Sequence, residues 1–527
     1  MDTSLTLLRP GVVTLRGEMG KALQKVVDNR LKKVDYRQMV DPYRFRSEAD
    51  NKWRCEFWGK VVRSAVYAWR GTQDAELKQI LAETVKDMLS TQTPDGCISS
   101  YPAEKQLGGW DIWGRKYVLL AMLAYYQEID PDPAIPQAMV KMVHQLLSGG
   151  TVLQDRGEHY GIAASSILRG LQELWRASGD PEVKAAADKL ASVGCSHLHN
   201  IFKMAQIGVA PGEIANGKAY EMTSCFQGLA AICSDDKDPE KLQILEAYYR
   251  SVRDQEIFIT GCGGMKDLCG EFWFHGKSRQ MRSDCGGVGE TCVTVTWLAY
   301  CMDMLKLTGD LSIGDEMERS FYNALLGSLV DDGSNFIHIN PTLSGGWKKP
   351  ALDQMPDFPG HDCCRAQGPY GLALAPMMAV MQSPAGYAVN LYEDLTADGI
   401  LEIKGNVPVS DTAEITVLKA GEYEIALRIP AEYGCRVNGK SVPAGVPCRI
   451  RKNWTAGEKI TVSFDHTLRQ VSCGSFTACA AGPWVLCREE NGAGNAALFS
   501  KDGFVDYASA GKRFSADNTL TVWFKEL

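Results

Sequence analysis

The feature that most constrains the fold is a helical spacing of apolar residues that runs from about residue 18 to residue 382 and then stops. Within residues 74–90, apolar side chains from Leu77 to Leu89 recur at i, i+3, i+4, i+7 and i+8, the spacing of one helix face. The same spacing predicts eleven further helices, at 18–33, 53–70, 112–127, 134–148, 160–177, 182–194, 218–233, 239–253, 290–307, 314–330 and 367–382. The chain has 527 residues, which is too long for one ordinary hydrophobic core, so we expect two or more domains.

The connections between the predicted helices repeat in kind. An Asp, often followed by Pro, stands between helices in Gln73-Asp74, Asp132-Pro133, Gly179-Asp180-Pro181-Glu182, Asp238-Pro239-Glu240 and Gly309-Asp310. Asp is a favoured N-cap and Pro a favoured first helical residue. A chain of helical hairpins with similar turns predicts six helix pairs in a toroid, the all-α (α/α)6 barrel, over residues 18–384. The spacing alone does not separate this barrel from an open helical solenoid.

Beyond Ser383 the apolar spacing changes to two residues, which is typical of strands. The plainest strands are predicted at 387–392, 413–417, 423–429 and 459–464, and Val437-Asn438-Gly439-Lys440 is typical of a hairpin turn. Many short strands separated by Gly, Pro and Asn predict a C-terminal all-β sandwich over residues 385–527. Residues 1–17 contain one or two further strands, which we expect to pair with this sandwich because a lone strand is not stable.

Two adjacent thiols, Cys363 and Cys364, are the most unusual short motif. Neighbouring side chains of a strand point to opposite faces, so the two sulfurs could meet only where the backbone is kinked. The simplest use of such a pair is to hold one soft metal ion such as zinc. Glu290 and Cys292 offer two further ligands, because they follow a glycine run at the start of a predicted helix, where irregular dihedrals let them converge. The alternative is that the pairs arise by chance among 17 cysteines, since a free Cys is usually a small buried apolar residue.

These motifs are similar to those of the β-L-arabinofuranosidases, glycoside hydrolase family 127. The matching segments occur in the family's order: Gly270-Glu271-Phe272, Glu290-Thr291-Cys292 and Cys363-Cys364, with weaker matches at 92–96, 322–324 and 482–483. The resemblance extends from about Trp53 to the C-terminus. The best-known members continue from the cysteine pair with Pro-Pro-Asn, whereas this chain has Arg365-Ala366-Gln367-Gly368-Pro369. This difference indicates a separate branch and leaves the exact sugar open.

The resemblance implies the (α/α)6 fold and a zinc-dependent retaining hydrolysis of β-L-arabinofuranosides, or of a related furanoside of plant-type glycans. It implies Glu290, Cys292, Cys363 and Cys364 as zinc ligands, Cys363 also as the nucleophile, and Glu271 as the acid/base. Zinc would ionise the coordinated thiol. Glu271 stands among glycines and aromatic residues, which would raise its pKa as a general acid requires. Only the resemblance favours Glu271 over its rivals Asp267 and Asp284.

Candidate substrate-binding residues lie in loops and at helix starts. The stretch Trp110–Tyr117 is dense in residues that bind sugars, and we select Trp110, Asp111 and Trp113 from it. Its alternative is the well-packed start of an inner helix. The set is completed by three histidines in or beside site-like loops, although a histidine in a long chain is more often structural: His159, His275 and His361.

Composition excludes some classes of function. A formal net charge of -8 and a pI near 5.6 argue against a nucleic-acid partner, and no apolar stretch is long enough for a membrane span. Scattered cysteines and the lack of a visible signal peptide predict a cytoplasmic protein. We expect an oligosaccharide or glycoside substrate, and a homodimer is compatible with the sequence. Two alternatives remain: a helical zinc protein that activates a thiol, as lanthionine cyclases do, and a non-catalytic carbohydrate-binding protein with a structural zinc.

Overall fold

The helices come first along the chain. The computed structural model describes residues 4–48, 52–265, 270–282, 288–350, 358, 360–494 and 496–525. In chain order the helices are α1 (Glu18–Val26), α2 (Tyr36–Phe45), α3 (Phe57–Thr72), α4 (Ala75–Leu89), α5 (Asp111–Glu128), α6 (Ala134–Leu147), α7 (Ile162–Ser165), α8 (Leu168–Ser178), α9 (Pro181–Val193), α10 (Ile201–Gln206), α11 (Ala219–Asp236), α12 (Pro239–Gln255), α13 (Gly276–Arg279), α14 (Thr291–Thr308), α15 (Ile313–Arg319), α16 (Leu326–Ser328) and α17 (Cys363–Ala379). Two π-helical segments, Val27–Leu31 and Ser320–Leu325, continue α1 and α15.

Six of these helices form a closed inner ring. In chain order α3, α5, α8, α11, α14 and α17 each pack against the next, and α17 packs back against α3. Most of their residues are buried on every side, as expected for helices surrounded by others. Outer helices α4, α6, α9, α12 and α15 pack against the inner helices that precede them, and α1 packs against α17. The contact between α17 and α3 closes the ring, which confirms the (α/α)6 barrel and excludes an open solenoid.

Aspartate caps start several outer helices where the sequence predicts them. Asp74 accepts a hydrogen bond from the backbone N–H of Leu77 at 2.8 Å, and Asp238 accepts one from Glu240 at 2.8 Å. Asp180 accepts hydrogen bonds from two backbone N–H groups of the first turn of α9, each at 3.0 Å. These caps satisfy N–H groups that have no partner inside the helix.

Two helix boundaries differ from the prediction in an informative way. The last inner helix was expected at 367–382, but α17 starts at Cys363 because Asp362 caps it, and it ends at Ala379. The cysteine pair therefore lies in the first turn of a helix and not in a kinked strand. The single helix expected at 160–177 is divided into α7 and α8 by a tight turn at Ser166 and Ile167.

The strands form the C-terminal part of the chain together with a few short segments elsewhere. They are β1 (Thr6–Leu7), β2 (Val13–Leu15), β3 (Ile337–Ile339), β4 (Lys349–Pro350), β5 (Val380–Ser383), β6 (Gly386–Val389), β7 (Leu395–Ala397), β8 (Leu401–Lys404), β9 (Thr412–Val417), β10 (Gly421–Leu427), β11 (Cys435–Val437), β12 (Lys440–Val442), β13 (Cys448–Trp454), β14 (Lys459–Phe464), β15 (Leu468–Cys473), β16 (Phe476–Ala481), β17 (Trp484–Glu489), β18 (Ser500–Lys501), β19 (Phe504–Asp506) and β20 (Leu520–Thr521). This region confirms the predicted change from helices to strands.

Two of the sheets include the N-terminal strands. One sheet has the order β1-β5-β6-β10-β13 and another the order β12-β11-β14-β9-β8-β7-β2. Thr6 lies opposite Gln382, and Val13 lies opposite Ala397, so the N-terminus is tied to both sheets. A third sheet contains β15 to β19, with β20 paired to β17, and β3 pairs with β4 beside the barrel. No helix in the described part of the chain is long and apolar enough to cross a membrane.

Candidate active site

The starts of several inner helices converge at one end of the barrel. Residues at or just before the starts of α3, α5, α11, α14 and α17 line one cavity of about 110 Å³. The lining residues are Trp53, Glu56, Lys60, Trp110, Trp113, Lys218, Tyr220, Glu221, Glu271, Glu290 and Cys363. The closed ring therefore gathers polar side chains that are far apart in the sequence.

A cluster of thiols and a carboxyl group lies where α14 and α17 begin. Glu290 is the N-cap of α14, with extended backbone, and Cys292 is in the first turn. Cys363 and Cys364 are the first two residues of α17, and the Asp362 side chain accepts the Cys364 N–H at 2.7 Å. One ligand atom from each of Glu290, Cys292, Cys363 and Cys364 lies within 4.8 Å of the others. The structure thus brings together the four residues that the sequence suggested as ligands.

The spacing of these atoms suits a tetrahedral metal ion. Two sulfur ligands of zinc, each about 2.3 Å from the metal, lie about 3.8 Å apart, and the Sγ atoms of Cys363 and Cys364 are 3.8 Å apart. Glu290 Oε1 is 3.6 Å from Cys363 Sγ and 3.7 Å from Cys364 Sγ. Glu290 Oε2 is buried and has no hydrogen-bond partner among the described residues. A buried carboxylate oxygen without a partner is costly, and a metal ion would remove that cost.

A glycine allows the neighbouring loop to approach this cluster. Gly270 has a φ of +81°, and a Cβ added there would lie 3.0 Å from both Cβ and the backbone N of Glu290. A side chain at this position would therefore strain the backbone and press on the N-cap of α14. The Gly270-Glu271 segment depends on this glycine to lie beside the thiols.

Among the three thiols, Cys363 is the one favoured as an anion. Hydrogen bonds from Cys292 and Cys364, together with His338, hold the pKa of Cys363 well below its usual range. Burial instead raises the pKa values of Cys292 and Cys364. The three sulfurs are in contact but are not chemically equivalent.

Glu271 lines the same cavity as Cys363, close to Glu290, and forms an ion pair with Lys218. Its carboxyl group is within 4.8 Å of Glu290 and of His338, counting one ligand atom from each. Burial raises the pKa of the Glu271 carboxyl, and the positive charge of Lys218 opposes this shift without cancelling it. A carboxyl group that holds its proton more tightly than usual suits a general acid.

Aromatic side chains form part of the wall of the cavity. The ring of Trp110 is edge-on to Trp53 at 6.3 Å and to Trp113 at 5.7 Å between centroids. The indole N–H of Trp113 donates to Glu56 at 2.5 Å, and Lys60 lies 2.9 Å from the same carboxyl group. An apolar wall with a few fixed polar groups is typical of a site for a small polar ligand such as a sugar.

Comparison with known proteins identifies the family. The family model for the GH127 catalytic domain of β-L-arabinofuranosidases matches residues 19–373 of this chain. The chain belongs to glycoside hydrolase family 127. It is therefore a glycoside hydrolase, and this membership favours the glycosidase hypothesis over both alternatives raised from the sequence.

The relatives of this GH127 hydrolase are distant in sequence. A non-reducing end β-L-arabinofuranosidase from Bifidobacterium longum subsp. longum is 21% identical over 497 residues, covering 82% of this chain and 74% of the relative. The crystal structure of a GH127 β-L-arabinofuranosidase from Geobacillus stearothermophilus T6 is similar with a TM-score of 0.72 at 17% identity, covering 97% and 99% of the two chains. A second GH127 β-arabinofuranosidase structure has a TM-score of 0.74 at 16% identity, covering 99% and 96%. These structures support the fold.

Three residues of the GH127 hydrolase that the sequence suggested for substrate binding do not line this cavity. Asp111 is buried and pairs with Arg115 at 3.0 Å, so it stabilises the start of α5. His361 is buried, with its ring 4.5 Å from that of Phe358. His275 is more than a third exposed and faces Glu213.

The other candidate residues either line the cavity, lie next to its wall, or fall outside the described segments. Trp110 and Trp113 line the cavity. His159 lies behind the wall, with its ring centroid 5.8 Å from that of Trp110. Asp267 and Asp284, the rivals of Glu271, lie outside the described residues.

Several charged residues of the site were not predicted. Glu56 and Lys60 are four residues apart at the start of α3, and Lys218 and Glu221 occupy the same position relative to α11. A search for charged residues within one turn of each predicted inner-helix start would have found them. His338 was also missed; its signal is a polar residue between two isoleucines in a short strand followed by Asn-Pro.

Proposed function

We propose that this hydrolase removes terminal β-L-arabinofuranosyl units, or a closely related furanoside, with retention of anomeric configuration. Cys363 is the nucleophile and Glu271 the acid/base in this proposal. The observation that carries it is the buried cluster of Glu290, Cys292, Cys363 and Cys364, which borders the same cavity as Glu271. The activity of the Bifidobacterium longum relative, a non-reducing end β-L-arabinofuranosidase, supports the choice of sugar.

The four residues of the cluster would hold a zinc ion. Their donor set, three thiols and one carboxylate, is typical of zinc, and their spacing fits it. When bound, zinc would keep the coordinated thiols ionised at neutral pH. The protein's own contribution is to keep one of these sulfurs at the cavity surface: Cys363 lines the cavity, whereas Cys292 and Cys364 are fully buried.

In the first step, the Cys363 thiolate attacks the anomeric carbon of the sugar. The carbon–sulfur bond forms as the bond to the leaving oxygen breaks, and Glu271 donates its proton to that oxygen. Lys218 would then pair with the new Glu271 carboxylate, which it already contacts. The positive charge of Lys218 thus stabilises the state of Glu271 that the first step produces.

In the second step, the Glu271 carboxylate removes a proton from water, and the water oxygen attacks the anomeric carbon. The carbon–sulfur bond breaks and the Cys363 thiolate is restored. Two displacements at one carbon give retention, as in other retaining glycosidases.

The cavity supports a substrate with a single sugar unit in the site. The cavity, at about 110 Å³, is small, and its wall includes the aromatic side chains of Trp53, Trp110 and Trp113, which would contact the sugar. Glu56, Lys60 and Glu221 offer hydrogen-bonding groups for the hydroxyls. We therefore expect release of terminal sugars and not cleavage within a polymer.

A panel of nitrophenyl glycosides tests the reaction, with the β-L-arabinofuranoside compared against its α anomer and against pyranosides. We expect activity on the first, with the product sugar initially in the β configuration by NMR. Elemental analysis of protein never exposed to chelator should give one zinc per chain. Less than about a tenth of a zinc per chain would contradict the metal part of the proposal.

Covalent labelling tests the identity of the nucleophile. An arabinofuranose analogue carrying a haloacetamide should label Cys363, and peptide mass spectrometry locates the label. Cys363→Ser should abolish turnover at any zinc concentration, because a serine hydroxyl is hardly ionised. A label on Cys364 would exchange the roles of the two cysteines, and a label on Glu271 would refute the cysteine mechanism.

A further inference from the structure

His338 lies against the proposed metal cluster without belonging to the proposed set of four ligands. It is the central residue of β3, and its neighbour Ile339 forms a β-bridge with Glu290. His338 Nδ1 is 3.6 Å from Asp362 Oδ2 and 3.7 Å from Cys364 Sγ. His338 Nε2 is 3.8 Å from Glu290 Oε1. The imidazole therefore spans the space between the start of α14 and the start of α17.

One nitrogen of this ring has no hydrogen-bond partner in the part of the chain that the structure describes. His338 Nε2 is buried and makes no hydrogen bond among the described residues, and the same is true of the nearby Glu290 Oε2. Two unsatisfied polar atoms on adjacent buried groups are unusual, because each one costs free energy in the folded state. Both atoms, His338 Nε2 and Glu290 Oε2, lie beside the three thiols, where each could donate to a metal ion.

The surroundings of His338 match those of a metal-binding histidine. Such a histidine usually presents one nitrogen to the metal while the other faces a carboxylate, which fixes the ring. Asp362 supplies a carboxylate on the Nδ1 side, and Asp362 is itself held by the Cys364 N–H at 2.7 Å. With the ring proton on Nδ1, the lone pair of Nε2 is on the Glu290 side.

His338 also belongs to two alternative ligand sets. One ligand atom from each of His338, Asp362, Cys363 and Cys364 lies within 4.8 Å of the others. The same is true of His338 with Glu271 and Glu290. The site therefore offers more donors than the four that a tetrahedral zinc ion uses.

We propose that His338 is a reserve ligand of the metal centre, which binds through Nε2 while Cys363 is bonded to the sugar. This inference rests on the proposed function. When Cys363 sulfur forms its bond to the anomeric carbon, the thiolate becomes a neutral thioether, which is a much weaker donor. The Nε2 lone pair of His338 would then replace the donor that Cys363 gives up, with the Nδ1 proton directed toward Asp362. When water breaks the carbon–sulfur bond, the Cys363 thiolate returns and displaces Nε2.

Zinc affinity in four variants tests this reserve role. Cys363→Ala imitates the loss of the thiolate donor. The zinc dissociation constant of this variant is compared with those of the native chain, of His338→Ala and of the double variant Cys363→Ala/His338→Ala. A chromophoric chelator competing for the metal gives each dissociation constant. We expect His338→Ala to weaken zinc binding by about 10–100-fold in the Cys363→Ala background and by less than about threefold in the native background.

Controls separate a ligand from a residue that only shapes the site. His338→Asn keeps a hydrogen-bonding atom near the Nδ1 position but has none at Nε2, so it should behave like His338→Ala in both backgrounds. It also serves if the alanine variant does not fold. His275→Ala, on a partly exposed histidine away from the cluster, should change none of these affinities.

A spectroscopic measurement on the native sequence gives an independent readout. X-ray absorption at the zinc edge should show three sulfur neighbours and no imidazole in the resting enzyme. After Cys363 is labelled with the arabinofuranose analogue, it should show imidazole scattering and fewer short zinc–sulfur contacts. An equal loss of affinity on removing His338 in both backgrounds would overturn the reserve role, and so would a labelled enzyme without an imidazole signal. A native protein without zinc would refute the metal part of the proposed function itself, so the two failures are distinguishable.

Discussion

Replacing Glu271 by Gln tests the assignment of the acid/base most directly. Glutamine has the same shape and can still accept a hydrogen bond from Lys218, but it neither donates nor accepts the transferred proton. The Glu271 side chain is 30% exposed but that of Lys218 only 7%, so solvent screens their ion pair from one side only, and the hydrogen bond from Lys218 to the new amide oxygen would replace part of it. Lys218 also keeps Glu221 at 3.7 Å as a second partner. We therefore expect a folded variant with native zinc content.

The loss of activity should be large and should depend on the leaving group. General acid–base catalysis contributes about 10²–10⁴ in rate, which is about 3–5 kcal/mol at 1.36 kcal/mol for each factor of ten. An alkyl arabinofuranoside, whose leaving oxygen needs a proton, should show the whole loss. A nitrophenyl arabinofuranoside needs no proton in the first step, so the second step should become limiting. A burst of nitrophenol and an adduct of the sugar with Cys363 should then be seen by stopped-flow absorbance and intact mass spectrometry.

Glu221→Gln is the matched control, because Glu221 lines the same cavity and contacts the same lysine. It should show no burst and no dependence on the leaving group. Near-native activity of Glu271→Gln on the alkyl glycoside would refute the assignment. A loss that is equal for both leaving groups would mean that Glu271 holds the site in shape and does not transfer a proton.

Three further predictions concern a thiol of the cluster, the glycine beside Glu290, and Glu393, a buried carboxyl group that contacts Met19 and Tyr322. Cys364→Ser should lose zinc and activity together, and added zinc should partly restore both, as elemental analysis and kcat would show. Gly270→Ala should lower zinc content and thermal stability, because the added Cβ would press on Glu290. Gly149→Ala is the control: Gly149 also has a positive φ, +75°, but no atom lies within 4 Å of the added Cβ. It should therefore lose only the stability that the backbone strain costs. Burial raises the pKa of the Glu393 carboxyl to about 7. The folded state therefore binds the carboxyl proton more tightly than the unfolded state does. The free energy of unfolding should fall by about 3 kcal/mol between pH 4.5 and pH 7 as this proton is lost. Glu393→Gln should remove this decline in chemical denaturation series at pH 5 and pH 8.

The helices could be predicted because each one needs only local information. The apolar spacing of 74–90 and the caps at Asp74, Asp180 and Asp238 are read within single segments, and the structure agrees with them. The packing of α17 against α3 brings together residues some 300 positions apart, and no local pattern specifies it. The start of α17 was missed for the same kind of reason, since Asp362 was not recognised as a cap in front of two cysteines.

The site could be predicted only where an unusual residue type marked it. Cys363 and Cys364 are conspicuous as a pair, and Glu290-Thr291-Cys292 follows a glycine run. Lys218 and His338 are ordinary in their local sequence, and they acquire a role only through the rotation of α11 and the position of β3 beside the cluster. Asp111 and His361 were selected from their sequence surroundings but do not line the cavity, because composition does not show which way a side chain points. In both cases the decisive information is the orientation of an element relative to the barrel axis.

The electrostatics of the barrel end explain why the proposed sulfur nucleophile would suit this fold. Cys363 occupies the first position of α17, where backbone N–H groups without helical partners and the aligned peptide dipoles favour negative charge. Cys292 lies in the first turn of α14, so the cluster is at the positive ends of two helices. Glu290 Oε1 is 3.6 Å from Cys363 Sγ, but burial raises the pKa of Glu290, whereas the neighbours of Cys363 lower the pKa of its thiol. The fold therefore favours the anion on Cys363, at the surface of the cavity, and leaves Glu290 better suited to holding a cation than to attacking a sugar.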